Sequence, residues 1–329
     1  MTESVGSAPI IADSRAQAGL GLTDALLFAM ATIWGINFVV VKYATHIFSP
    51  VAFTGLRVVT VAIFLVTWAL TRGTPAGRGK DDAGMTIQRR SAWKLPVSTR
   101  DLWRLLSLGV IGNGLYQLFF VLGVSRTRAG NAALIVGAAP AFIALASRAR
   151  GLERVKRMTL AGIGLSVVGV ALVIIGSARP TTGQTGGQAT LLGSVLVFFG
   201  VLSWTLYTVL LQPYTKRVDV VNLSAITMVG GAVPLLIASM PAIVATDWAH
   251  VGRGGWLALL YSSIISMGVA YAFYYRGLRL LGPTRTAVYT NLQPIIALLV
   301  AWAFLGENPT MFQGVGAATI IAGVFLTRA

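Results

Sequence analysis

Residues 123–170 read GVSRTRAGNAALIVGAAPAFIALASRARGLERVKRMTLAGIGLSVVGV, and residues 277–324 read GLRLLGPTRTAVYTNLQPIIALLVAWAFLGENPTMFQGVGAATIIAGV. Set at an offset of 154 the two stretches overlay without a gap. Gly123 falls on Gly277, Ala133 on Ala287, Pro140 on Pro294 and Leu145 on Leu299; Glu153 falls on Glu307, Gly162 on Gly316, Gly169 on Gly323 and Val170 on Val324. Two apolar stretches rich in Gly and Ala share a few identities by chance. A Pro, a Glu and three Gly at one offset point instead to a duplicated unit.

Outward from that repeat, the composition fixes the solvent. Of 329 residues, 55% are hydrophobic and only 11% charged, and the mean hydropathy is +0.75. A soluble chain carries about 25% charged residues, so a cytosolic enzyme with polar domain surfaces is excluded. A membrane-crossing helix needs roughly 20 apolar residues. Such runs are expected at about 24–45, 50–71, 102–124, 130–148, 158–177, 190–212, 220–245, 256–277, 285–305 and 310–327, each separated by Gly, Pro or charge. Residues 1–22 are expected as a disordered cytoplasmic tail, 23–178 as a first five-helix unit with a basic loop at 72–101, and 190–329 as a second unit. Five spans is an odd number, so the second unit enters the membrane upside down. This predicts an all-α membrane protein of ten helices in two inverted five-helix repeats around a central cavity, with a substrate site between the halves.

The formal charge is +16. In a soluble protein that would suggest nucleic acid; here no basic domain outside the spans exists to bind one, and the charge reads as loop topology. With the N-terminus inside, twenty Lys and Arg fall in inner loops against four (Arg126, Arg128, Arg179 and Arg253) in outer ones. Basic loops stay cytoplasmic, so both termini are expected on the cytoplasmic side. There are no cysteines, which removes disulfides and thiolate chemistry.

Trp34-Gly35-Ile36-Asn37-Phe38, followed by Lys42, Pro50 and Arg57, resembles the first-helix signature of EamA-type members of the drug/metabolite transporter superfamily. Arg126-Thr127-Arg128-Ala129-Gly130-Asn131-Ala132-Ala133, through Pro140 to Glu153, is similar to that family's third-to-fifth-helix signature. Leu281-Gly282-Pro283-Thr284-Arg285-Thr286-Ala287, through Pro294 to Leu305-Gly306-Glu307, resembles its second-half counterpart. The resemblance spans about residues 22–327. It implies ten helices in two inverted halves, transport of small metabolites, often outward, and an inner-membrane location, with aromatic amino-acid exporters as a plausible nearer kin.

The residues themselves narrow the chemistry. None of the ten acidic residues lies mid-span, and His46 and His250 fall in expected outer loops. A buried carboxylate is the usual proton relay or cation counter-charge, so coupling without a carboxylate relay is expected. No cofactor or metal is expected, and no nucleophile with its base is assembled, so the chain does not read as an enzyme. Pro140 and Pro294 sit mid-span at matching repeat positions; each removes a helix hydrogen bond, and paired breaks mark a hinge beside a substrate site. Merely shaped packing is the competing reading. Trp34 and Asn37 share a helix face, and Trp204 and Tyr207 repeat that spacing in the second half; they suit a flat substrate with polar ends or, alternatively, core packing. Asn113, Tyr116 and Gln117 make a polar stripe in the third span, and Tyr271 and Tyr275 share a face of the eighth. Tyr289, Asn291 and Gln293 flank Pro294 and are read as satisfying its freed carbonyl or contacting ligand. Arg57 is costly inside a bilayer; it is read either as a carboxylate binder or as bonded to helix-end carbonyls. Lys42 is expected to snorkel.

Glu153 and Glu307 are read as structural, each stabilising a following helix N-terminus through its dipole, with Asn308 and Pro309 as N-cap and first helical residue. Trp68, Trp93, Trp103 and Trp256 are expected in the interfacial belt. The Gly-rich helices 158–177 and 310–327 are expected to make close contacts within one chain or to pair two copies as a homodimer. The expected partners are thus a small-molecule substrate and the lipid bilayer. The leading expectation is a carrier, mostly outward, of amino acids or similar amphipathic metabolites. The alternatives are an exporter of anionic or phosphorylated metabolites, or a broad drug/metabolite efflux carrier.

Overall fold

A computed structural model describes residues 21–72, 79–80, 86–87, 97–150, 157–177, 187–281, 286 and 289–326. The tail before residue 21, most of the basic loop, Trp93 and Glu153 lie outside the described residues. Apart from a two-residue antiparallel pairing of Gly79–Lys80 with Thr86–Ile87 and one 3-10 turn at Trp248–His250, the regular structure is helical.

The helical rods are α1 (Leu22–Ala44), α2 (Pro50–Arg72), α3 (Thr99–Arg126), α4 (Ala129–Ala149), α5 (Arg157–Ser177), α6 (Gly187–Thr215), α7 (Val220–Val244), α8 (Arg253–Leu280), α9 (Leu292–Leu305) and α10 (Met311–Leu326). Seven of them, α1–α4 and α6–α8, are long and apolar enough to cross a bilayer; α5, α9 and α10 contain shorter apolar helices. In a hydrocarbon solvent only structures that satisfy their own backbone hydrogen bonds can span, which is why so apolar a chain becomes helix nearly throughout. Observed ends match the expected spans within about three residues, except that α9, expected from 285, begins at Leu292 after the turn at Asn291.

Three rods are interrupted. α3 and α8 each widen into a π-helical turn, at Val110–Leu115 and Tyr261–Val269. α4 breaks at Ala138, two residues before Pro140. The α9 rod starts just after a turn at Asn291, three residues before Pro294. Proline lacks the amide hydrogen that an unbroken helix would need there, and the two breaks meet: a Cβ built on Gly137 would lie 2.6 Å from Pro294 Cγ.

The rods pair α5 with α10, α2 with α7, α3 with α6, and α1 with both α9 and α8. Glycine allows the closest of these approaches. On Gly169 a Cβ would stand 3.0 Å from the Gly316 carbonyl, and on Gly323 it would stand 2.6 Å from the Gly162 carbonyl. The contacts run in opposite sequence order, so α5 and α10 are antiparallel. Gly162, Gly169, Gly316 and Gly323 are therefore used for packing within one chain, while Gly164 and Gly314 have open space before them. Gly109 is tighter still: its Cβ would lie 2.0 Å from the Thr227 carbonyl oxygen of α7.

The end of the bundle bearing the α1 and α3 C-termini is tied by ions. Lys42 does not snorkel free: its Nζ donates to the carbonyls of Val124, Ser125 and Thr127, at 3.2, 3.2 and 2.7 Å, capping α3. Glu307 caps α4 rather than the helix that follows it, accepting from Ala129 N at 3.1 Å and Gly130 N at 3.4 Å, with Arg128 Nε 3.9 Å away. Arg128 also donates to the Asn308 carbonyl. The N-cap of α10 is Thr310 and not Asn308. Thr310 Oγ1 accepts from Gln313 N at 3.2 Å, and Gln313 Oε1 accepts from Thr310 N at 2.8 Å, a reciprocal capping box. At the opposite end, Tyr289 donates to Asp24 of α1. Trp103 and Trp256 are exposed, as belt residues should be, while Trp68 is half-buried against Phe64.

Candidate functional site

A central cavity of about 50 Å³ lies among α1, α2, α3, α4, α6, α8 and the segment at α9. Each rod brings one face to it at helical spacing: Trp34, Asn37 and Phe38 from α1, Tyr116, Gln117 and Phe120 from α3, and Met267, Tyr271 and Tyr274 from α8. Trp204 enters from α6 and Arg57 from α2; Pro140 lies on the α4 wall beside its break, and Thr290 and Gln293 lie beside the α9 break.

Seven aromatic rings make the largest group in the wall. Trp34 packs against Trp204 edge-on with centroids 6.3 Å apart, and against Tyr271 and Tyr274 at 5.6 and 5.4 Å. Trp204 adds Tyr116 at 5.0 Å and Tyr271 at 5.5 Å. These are the offset and edge-to-face separations that ring quadrupoles favour. The polar ends of the rings are held: Trp34 Nε1 donates to the Ser266 carbonyl at 2.9 Å, and Gln117 Nε2 donates to Tyr271 Oη at 3.0 Å. Ser266 lies in the π-helical turn of α8, and so does Ser262, whose carbonyl accepts from Arg57 Nη2 at 3.2 Å. π turns inside α-helices recur at functional sites, and this one presents acceptors to both Trp34 and Arg57.

Arg57 dominates the electrostatics. It is 1% exposed, and its guanidinium carbon lies 5.8 and 5.9 Å from the Phe53 and Phe120 ring centres. Its Nε and Nη1 carry no hydrogen bond, and among the described residues no carboxylate pairs with it. Asn37 Oδ1 and Gln117 Oε1 are likewise buried and unbonded. At about 50 Å³ the space would hold a few water molecules, against the roughly 300–1,000 Å³ of a site closed on a drug-sized ligand. A metabolite therefore fits here only if the walls part.

Seven of the expected site residues thus share one cavity wall: Trp34, Asn37, Arg57, Tyr116, Gln117, Trp204 and Tyr271, with Pro140 beside them. The others stand elsewhere. Tyr207 and Tyr275 are fully buried behind the wall, their hydroxyls 2.6 Å apart, with Tyr207 Oη 3.2 Å from Thr227 Oγ1. Asn113 is buried against α7 near Gly231. Tyr289 is turned to Asp24, and Asn291 with Pro294 lines a separate apolar space near Gly137. Gln293, expected beside Pro294, and Tyr274 of the eighth span also line the cavity. Phe120 lines it too and was missed; its offset of three from Gln117 was the available signal. His46 and His250 border a different cavity near Asp247, and the described residues hold no cluster of three or more His, Cys, Asp or Glu suited to a metal.

The chain matches the EamA-like transporter family over two segments, residues 21–175 and 191–329. It is 26% identical to the uncharacterized transporter YyaM of Bacillus subtilis, covering 91% of each chain. An uncharacterized transporter of Archaeoglobus fulgidus is 27% identical over 93% of this chain and 97% of its own. The uncharacterized inner membrane transporter YedA of Escherichia coli is 26% identical over 91% of this chain and 88% of its own. One solved crystal structure superposes with a TM-score of 0.59 at 15% identity, covering 92% of this chain and 95% of the other, which speaks to the fold alone. With a family match in each half and relatives of the same length, the chain belongs to the EamA-like transporter family and is a multi-pass membrane transporter, not an enzyme.

Proposed function

We propose that the chain exports amino acids, with aromatic or other amphipathic small metabolites favoured, by alternating access between two inverted five-helix halves, 23–178 and 190–329. The observation that carries this reading is the aromatic cage: Trp34 from one half and Trp204 from the other meet edge-on across a cavity that also holds free amide oxygens. Flat rings with polar ends are what such a wall accommodates.

Repeat-related contacts support the inversion. Exchanging the halves at the offset of 154 carries the contact of Gly169 with Gly316 onto that of Gly323 with Gly162. The hydrogen bond between Gln117 and Tyr271 joins two residues at that same offset, and the π turns of α3 and α8 fall at matching places. Equivalent helices that pack antiparallel suit an axis in the membrane plane. The excess of Lys and Arg on one set of loops supports cytoplasmic termini in an inner membrane. Pro140 and Pro294, at breaks that touch across the α4 and α9 rods, act as hinges.

Phosphorylated or other polyanionic substrates have one observation in their favour, Arg57 in the wall; among the described residues it is the only Lys or Arg there. A single guanidinium suits a monoanion better than a phosphate dianion. Cation efflux would want an acid in the wall, and the described lining contains none. Lacking a buried relay, exchange is expected to be independent of a proton gradient. In proteoliposomes, collapsing the pH gradient with an ionophore should leave exchange of labelled phenylalanine unchanged. A loss of ten-fold or more on collapse would overturn relay-free coupling.

A further inference from the structure

A cation buried without a counter-charge is costly, and a chain keeps one where something else completes it. Arg57 is 1% exposed, lines the central cavity and has a single hydrogen bond, from Nη2, leaving Nε and Nη1 unbonded among the described residues. The same wall holds two buried oxygens with no donor among the described residues, Asn37 Oδ1 and Gln117 Oε1. Gln117 is fixed in place, since its amide nitrogen is committed to Tyr271. One side of the cavity thus offers unused donors on a positive charge, and the same small space offers unused neutral acceptors. Most of the rest of the lining is rings and aliphatic groups, with Ser266, Thr290 and Gln293 as its other polar residues, and the apolar share strengthens each polar contact by excluding water.

We propose that these groups form a zwitterion head-group site: the carboxylate of an α-amino acid accepts from the unused N–H donors of the Arg57 guanidinium, end-on through Nη1 and the second hydrogen of Nη2, and its ammonium donates to Asn37 Oδ1 and Gln117 Oε1. This rests on the central cavity being the substrate site and deepens that reading by naming the part of the substrate that the carrier requires. The carboxylate is the indispensable half, because only it neutralises a charge that the protein leaves bare. The ammonium meets neutral acceptors and the faces of the surrounding rings, an accommodating environment for a cation but not a compelling one. A monocarboxylate without an amine is therefore accepted, and an amine without a carboxylate is refused, since Arg57 would then repel it.

The test is calorimetric titration of the purified full chain with phenylalanine, 3-phenylpropionate, phenethylamine, leucine and 3-methylbutylamine. Phenylalanine should bind tightest and 3-phenylpropionate within about ten-fold of it, because the lost contacts are to neutral acceptors. Phenethylamine should be weaker by at least about 100-fold, as a site with unpaired polar groups rejects the analogue that leaves them unpaired. Arg57→Gln should reduce that preference for phenylalanine over phenethylamine to near one, and Asn37→Leu should weaken phenylalanine more than 3-phenylpropionate. Equal affinity of the wild-type chain for phenylalanine and phenethylamine overturns the head-group site while leaving the aromatic site standing. Binding of leucine, with its amine refused and neither aromatic acid bound, overturns the aromatic reading and keeps the head-group site. Binding of no member of the series overturns both.

Discussion

Replacing Trp34 by Ala is expected to lower amino-acid transport on the order of 100-fold, the effect of truncating an aromatic anchor at the centre of a binding surface. Trp34 touches three rings of the cavity wall, Trp204, Tyr271 and Tyr274, and ties α1 to the π turn of α8 through the Ser266 carbonyl. Its removal empties the point where the two halves meet. Trp34→Phe keeps a ring and loses only the indole N–H, so its loss should be nearer ten-fold, in line with one hydrogen bond of about 1 kcal/mol plus some packing. Initial-rate uptake per mole of folded carrier, with folding checked by size-exclusion profile, separates this from instability. Wild-type flux in the Ala variant would remove Trp34 from the substrate path.

The second large effect concerns stability rather than flux. Glu307→Ala is expected to destabilise the folded chain by about 3–5 kcal/mol, the range for removing one partner of a buried ion pair. Glu307 is 8% exposed, accepts from the amides of Ala129 and Gly130, and lies 3.9 Å from the Arg128 guanidinium as its ion-pair partner. Without it Arg128, itself 6% exposed, is left beside the α4 N-terminus, whose dipole is also positive. Glu307→Gln keeps an acceptor for the amides and should lose clearly less. Thermal unfolding midpoints in detergent read the difference, and an Ala variant as stable as the wild type would show that the pair is unimportant.

The repeated Glu illustrates how far sequence reasoning reaches. That Glu307 is structural and sits at a helix N-terminus was legible from its position between an apolar run and a Pro. Which helix it caps was not: the α4 N-terminus lies 178 residues away in sequence from the carboxylate it binds, and nothing local encodes that meeting. The cap of α10 was legible but overshadowed. Thr310-Met311-Phe312-Gln313 has capping-box spacing, yet Asn308-Pro309 gives a competing signal of the same kind.

Helix positions came through because long apolar runs in a bilayer have few alternatives. The cavity came through in part. A spacing of three or four residues defines a face, and Trp34 with Asn37 does share one that reaches the cavity. Trp204 and Tyr207 have the same spacing, but Tyr207 is turned toward Thr227 and Tyr275 behind the wall. Tyr207 packs there against Gly112 of α3, where a Cβ would lie 2.2 Å from its ring, a tertiary fact. The π turns were not legible either; neither Val110–Leu115 nor Tyr261–Val269 carries a residue that forces one. They make Arg57 intelligible: the carbonyl it meets is not at a helix end, as one of its sequence readings had it, but in the π turn of α8, and the same guanidinium lines the cavity.

The measurement that bears most directly on a central aromatic site for amino acids is counterflow of labelled phenylalanine into proteoliposomes of the wild-type chain, competed in turn by unlabelled threonine, an organic dication and a sugar phosphate. Uptake that threonine reduces, and that the dication and the sugar phosphate leave unchanged, is the expected result. No phenylalanine uptake, together with uptake of labelled sugar phosphate in a parallel run, would contradict it.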